Sequence, residues 1–110
     1  MAAKANIIID QGADFSSTIT VTDLDGDIVD LTGYTGAGQI RKHYTSETAV
    51  DLTIGFSQDR SDGILTIALD SATTASMEAG RYVYDVEITT NGNVTRLAEG
   101  IATVTPQVTR

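Results

Sequence analysis

The stretch MEAGRYVYDVEITTNG, Met77–Gly92, decides how the rest of the chain is read. From Tyr82 onward it alternates, with Tyr82, Tyr84, Val86 and Ile88 on one side and Val83, Asp85, Glu87 and Thr89 on the other. Successive side chains of a strand point to opposite faces, so this is a strand with one buried face and one wet face. Asn91-Gly92 then supplies the positive-φ residues that a two-residue hairpin turn requires. NVTRLAEGIATVT, Asn93–Thr105, is the expected pairing strand, and Pro106 lacks the amide needed to continue a central one. Upstream, SATTASMEAG breaks the period. It predicts a short helical turn near residues 71–79, capped by Ser71 or Thr73 and stopped by Gly80.

Moving outward, NIIID (Asn6–Asp10) predicts a strand. FSSTITVT (Phe15–Thr22) predicts another, with Phe15, Ser17, Ile19 and Val21 on its inner face. Asp25-Gly26 predicts a tight hairpin with IVDL, Ile28–Leu31, as the returning partner. Gly33, Gly36 and Gly38 weaken any strand that holds them, so the strand predicted near Thr35–His43 carries close backbone approach at its glycines. AVDLTIGF places Val50, Leu52, Ile54 and Phe56 on one face, while ILTIALD is apolar on both faces and belongs inside a sheet. The sum is seven to eight short antiparallel strands with one helical turn crossing between layers. That pattern describes an all-β, immunoglobulin-like sandwich. The alternative is a small barrel. One domain spans residues 1–110, with 1–5 and 106–110 as terminal arms. Tyr82 stands where such sandwiches place a tyrosine corner, and Tyr84 where antibody-type domains carry a cysteine.

Composition narrows the function classes. Hydrophobic residues make up 41% of the chain, enough for one globular core and too many for a disordered segment. With 15 acidic against 7 basic residues the formal charge is −8, which repels phosphate backbones and anionic lipid. Neither nucleic acid nor membrane is therefore an expected partner. Cysteine is absent, which excludes disulfides and thiolate metal sites and fits synthesis in a reducing cytosol. MAAKANIIIDQG offers only three consecutive strongly apolar residues, against the roughly 7 to 15 of a signal peptide core. No cleaved export signal is expected.

Few residues suggest chemistry. His43 is the single histidine, so no histidine pair for a metal exists, and no Gly-x-Ser-x-Gly elbow occurs. Asp23, Asp25 and Asp27 form a weak candidate for a cation, but Gly26 precedes the third Asp and Tyr34 stands where an EF-hand loop closes with Glu. An Asx turn accounts for the same residues. Asp85, Glu87 and Glu99 are acids that a sheet could present as a hydrolytic pair, yet the alternation puts Asp85 and Glu87 on the wet face. GYTGAG lacks the Lys-Ser/Thr of a phosphate loop. Neither a cofactor nor an enzymatic activity is expected.

Three phrases carry a resemblance: IIIDQGADFSSTITVTDLDGDIVDLTGYTGAGQIRK (Ile7–Lys42), LTIALDSATTASMEAGRYVYDVEI (Leu65–Ile88) and NGNVTRLAEGIATVTPQVTR (Asn91–Arg110). Together they resemble small β-sandwich virion structural proteins of tailed bacteriophages and prophages. The sandwich at the front of baseplate upper proteins and the long-tail-fibre-associated sandwich proteins are similar. The most specific pieces are VDLTGYT and the GRYVYDVEI to VTRLAEG run. The resemblance implies a non-enzymatic virion component made in the host cytoplasm, in the tail, baseplate or fibre attachment. It would act through contacts with other virion proteins or further copies of itself. A capsid decoration or cement protein is the alternative, and a module for host-surface glycans a more remote one. The matching residues imply structural roles: Gly33 for a sharp entry, Gly80 for the exit from the helical turn, Tyr82 and Tyr84 for the core, and Asn91 and Gly92 for the hairpin. None is catalytic.

Overall fold

The computed structural model describes residues 3–109, and Met1, Ala2 and Arg110, which belong to the expected arms, lie outside them. Eight strands follow one another: β1 (Ala3–Lys4), β2 (Ile7–Asp10), β3 (Phe15–Thr20), β4 (Thr35–Arg41), β5 (Val50–Phe56), β6 (Ile64–Leu69), β7 (Gly80–Thr90) and β8 (Asn93–Thr105). A 3₁₀ turn at Arg60–Asp62 precedes β6, and one helix, α1 (Ser71–Ser76), lies between β6 and β7.

The strands run β1-β8-β7-β4-β5-β6-β3, with β2 also beside β8, and fold over at β5. Val50–Leu52 pair with β4, whereas Thr53–Phe56 pair with β6. One strand thus belongs to both layers. Two inner-face glycines of β4 make room for it: a Cβ at Gly36 would stand 2.6 Å from Ile54 Cγ2, and one at Gly38 would stand 3.0 Å from Leu52 Cδ1. This is the close approach expected at those glycines. Between the layers lie Ile9, Leu31, Ile40, Leu65, Ile67, Val86 and Val104, each essentially without solvent contact. Burying one such side chain stabilises by about 1.5–3 kcal/mol.

The inner and outer faces of β3, β5 and β7 fall as the alternation predicts, and β6 lies inside its sheet, between β5 and β3, as its two apolar faces imply. Asn91 (φ 50°) and Gly92 (φ 81°) make the two-residue turn of the β7–β8 hairpin, with Thr90 opposite Asn93. The helix crosses between layers as expected, but its ends differ. Asp70, not Ser71 or Thr73, is the N-cap, accepting from Thr73 N at 2.8 Å; the Thr73 side chain, and then that backbone bond, hold the Asp70 carboxyl pKa below its ordinary value. The helix ends at Ser76, before an extended and buried Met77, so Gly80 is not its stop but the first residue of β7, at φ 141°.

Three further expectations need correction. IVDL starts back after an Asx turn in which Asp23 Oδ1 accepts the amides of Asp25 and Asp27, and Val29 N reaches Val21 O, but it does not continue as a strand because Leu31 N donates to Arg60 O instead. Only a single bridge, Thr22 with Ile28, remains of the expected hairpin. The strands are not all antiparallel, since β1 and β2 run parallel to β8. Nor do residues 3–5 form an arm: Ala5 donates to Glu99 O at 2.9 Å, and its carbonyl accepts the Tyr84 hydroxyl at 2.6 Å. At the other end Gln107 N donates to Gln11 Oε1 at 3.0 Å, while Val108 is exposed.

Candidate functional site

A concave polar surface lies on the outer face of β4, β7 and β8, a cavity of about 360 Å³ lined by Gln39, Arg41, Tyr44, Asp85, Glu87, Arg96 and Glu99 among others. A second hollow of about 510 Å³ adjoins it where β5 leaves β4. Antiparallel pairing puts Asp85 directly opposite Glu99, two like charges that destabilise a sheet when left alone. A bulge resolves this. Between Val86 and Glu87 the register shifts so that Leu97 is the extra residue of β8, and Arg96 lands on the same face as Glu99. Arg96 Nε lies 3.5 Å from Asp85 Oδ2, and its Nη1 lies 3.6 Å from Glu99 Oε2. All three side chains keep contact with solvent, so each pair contributes at most about 1 kcal/mol.

Beside this trio, Gln39 Nε2 donates to Asp51 Oδ1 at 3.0 Å and Gln39 Oε1 accepts from Arg41 Nη2 at 2.9 Å. The face is a lattice of paired polar groups, open to water. A hydrolytic pair depends on environments that set two carboxyls apart. Here Asp85 and Glu99 share one arginine, and Glu87 lies opposite Arg96 in register. The sheet therefore brings together the acids singled out in the sequence, in an arrangement suited to holding a polar surface.

The other candidates are scattered. Asp23 is occupied by its own backbone, and among the described residues no three His, Cys, Asp or Glu side chains gather to hold a metal. His43 is exposed in the turn after β4, its amide donating to Ser46 Oγ at 3.0 Å. Tyr82 donates its hydroxyl to Glu78 O at 2.8 Å, the geometry of a tyrosine corner, with Lys42 Nζ 4.7 Å from its ring centre. Tyr84 fills core space, 5% exposed, and ties the chain start to the sheet through Ala5. Gly33 turns the chain at φ 85°, where Tyr34 N reaches back to Leu31 O.

Three residues that organise these surfaces went unrecognised in the sequence. Arg60 donates to Tyr34 O at 2.7 Å and Leu31 O at 3.4 Å while its guanidinium stands 4.2 Å from the Phe56 ring centre. Thr74, the only buried polar side chain among the described residues, donates to Ala13 O and accepts from Gly12 N. Gly100 lies under the chain at Ala5-Asn6, where a Cβ would collide with the Ala5 carbonyl. A lone Gly inside a strand was the available signal for the last.

No protein-family model matches this chain, and no curated protein matches it. Among solved structures, the crystal structure of the Lin-41 filamin domain is similar, with a TM-score of 0.52 at 13% identity over 88% of this chain and 81% of that one. At that identity the likeness shows the fold, an all-β sandwich of immunoglobulin-like, filamin-like form.

Proposed function

We propose that this chain is a non-enzymatic structural protein of a tailed-bacteriophage particle, a tail, baseplate or fibre-attachment component that works through protein–protein contacts. The observation that carries the reading is the resemblance of VDLTGYT and of the GRYVYDVEI to VTRLAEG run to sandwich proteins of such particles. These phrases coincide with parts on which the fold rests. Leu31 is a fully buried plug, Tyr34 offers its carbonyl to Arg60, and Tyr82 makes the corner. A cysteine-free chain also suits synthesis in the host cytoplasm followed by assembly.

Electron microscopy of particles encoding this chain, with the chain located by fitting or labelling, tests the proposal. Repeated density at the tail, baseplate or fibre junction is expected. Density on the capsid faces would make it a decoration protein instead. Absence from particles, combined with glycan-array binding by the purified chain, would replace the proposal with a host-glycan module.

A further inference from the structure

Asp25-Gly26, Asp62-Gly63 and Asn91-Gly92 are acidic or amide side chains followed by glycine, and they differ in what the glycine amide does. Gly26 N donates to Asp23 O at 3.0 Å, and Gly63 N donates to Arg60 O at 3.2 Å. The Gly92 amide meets no acceptor among the described residues. It lies in the middle of a two-residue turn, outside the ladder that Thr90 and Asn93 close. Asn91 and Gly92 are both exposed, and nothing lies within 4 Å of where a Cβ on Gly92 would stand. A carboxamide carbon and a free amide nitrogen are thus neighbours in water. Asparagine is thermally labile, and groups held next to each other react far faster than separate molecules do.

We propose that Asn91-Gly92 is a self-modifying site, at which the Gly92 nitrogen attacks Asn91 Cγ and the turn ages to isoaspartate. The new bond from Gly92 N to Cγ closes a cyclic succinimide. The bond from Cγ to the carboxamide nitrogen breaks, and that nitrogen leaves as ammonia with the proton of the Gly92 amide. Water then opens the ring. Opening at Cγ gives aspartate, whereas opening at the main-chain carbonyl gives isoaspartate, with the chain running through the former side chain. One water is consumed, one ammonia is released, and nothing is oxidised. The other asparagines are guarded. Asn6 Oδ1 accepts from Ile101 N at 3.1 Å and is followed by Ile7 in β2, while Asn93 is followed by Val94 inside β8. A β-branched side chain is stiff and crowds the amide beside it. The change at Asn91 adds one negative charge to the net −8. Isoaspartate also inserts a methylene into a turn whose length matches its two strands, so the pairs Thr90–Asn93 and Thr89–Val94 loosen first.

The folded full chain, held at physiological temperature and mildly alkaline pH, is sampled by tryptic mapping. Fragment Tyr82–Arg96 carries both Asn91 and Asn93, and its fragmentation tells them apart. Asn91 is expected to convert several-fold faster than Asn6 or Asn93, with isoaspartate, detected by enzymatic carboxyl methylation, as the larger product. Asn91→Gly keeps a turn-forming pair without the carboxamide and should take no methyl label in this fragment. Anion exchange separates the converted chains, whose amides at Thr90–Val94 should exchange faster than in fresh protein, while incubated Asn91→Gly stays unchanged there. Conversion that begins at Asn6 or Asn93, or isoaspartate arising first at Asp25 or Asp62, would overturn the proposal. So would an Asn91 that stays intact in the folded chain while converting in urea, because the turn would then protect it.

Discussion

Arg60 holds the long loop of residues 21–34 against the sandwich with both its side chain and its main chain. Its backbone carbonyl accepts from Leu31 N at 2.9 Å, and its guanidinium bonds Tyr34 O above the Phe56 ring. Arg60→Met keeps the apolar stem and removes the charged donors, so unfolding in urea should show a loss of about 1.5–3 kcal/mol. Tyr82 acts more locally. Tyr82→Phe deletes the bond to Glu78 O and should cost about 1 kcal/mol in the same measurement at pH 7. Burial raises both the Tyr82 and Tyr84 hydroxyls above the ordinary 10.0, with the Glu78 carboxylate adding to the rise at Tyr82. The fold thus favours the protonated phenols while the unfolded chain ionises first. Their contribution is present below pH 10 and is lost as pH rises through the folded values. Urea midpoints should therefore fall above pH 10, and less steeply in Tyr82→Phe. The difference in legibility between the two residues is one of distance. Tyr82 finds its acceptor four residues away, whereas the acceptors of Arg60 lie 26 and 29 residues away.

At the scale of elements, turn chemistry and alternation were readable because each is settled within a few residues. Asn91-Gly92 joins two long strands, whereas Asp25-Gly26 turns the chain but closes only the Thr22–Ile28 bridge, because Leu31 N beyond it donates to Arg60 O instead of extending the ladder. The short helix shows a different limit. Its six residues are too few to be stable alone, and it is held by a buried Thr74 that no periodicity marks. Thr74→Val keeps the shape but leaves Gly12 N and Ala13 O without the hydroxyl. A loss of about 1–3 kcal/mol is expected, with faster exchange of the Gly12 amide. The bulge at Leu97 likewise escaped the period-two reading. One extra residue changed which side chains join Glu99 on the outer face and so assembled the Asp85–Arg96–Glu99 trio.

Across the whole molecule, closure depends on where the first strands lie. Residues 3–10 run beside β8, nearly the full chain length away, fixed by Tyr84 on Ala5 and by Asn6 Oδ1 accepting from Ile101 N at 3.1 Å. Gly100 permits this contact. Gly100→Ala would push the Ala5 carbonyl off the sheet, and a loss of about 1–3 kcal/mol is expected. Hydrogen exchange should rise at Ala5–Asp10 before it rises in β6 or β7. Exchange that rose equally everywhere would argue against this local origin.

The all-β class, the inner faces of β3, β5 and β7, the corner at Tyr82 and the β7–β8 turn are written in short-range order. Alternation and turn preference act between near neighbours and need no knowledge of the rest of the chain. The parallel seat of β1 and β2, the sharing of β5 between layers, the Arg60 clamp and the open edge of β3 were decided only in three dimensions. Each is a choice of partner between segments far apart in sequence, and that choice is made by which contacts can be satisfied together once the layers close.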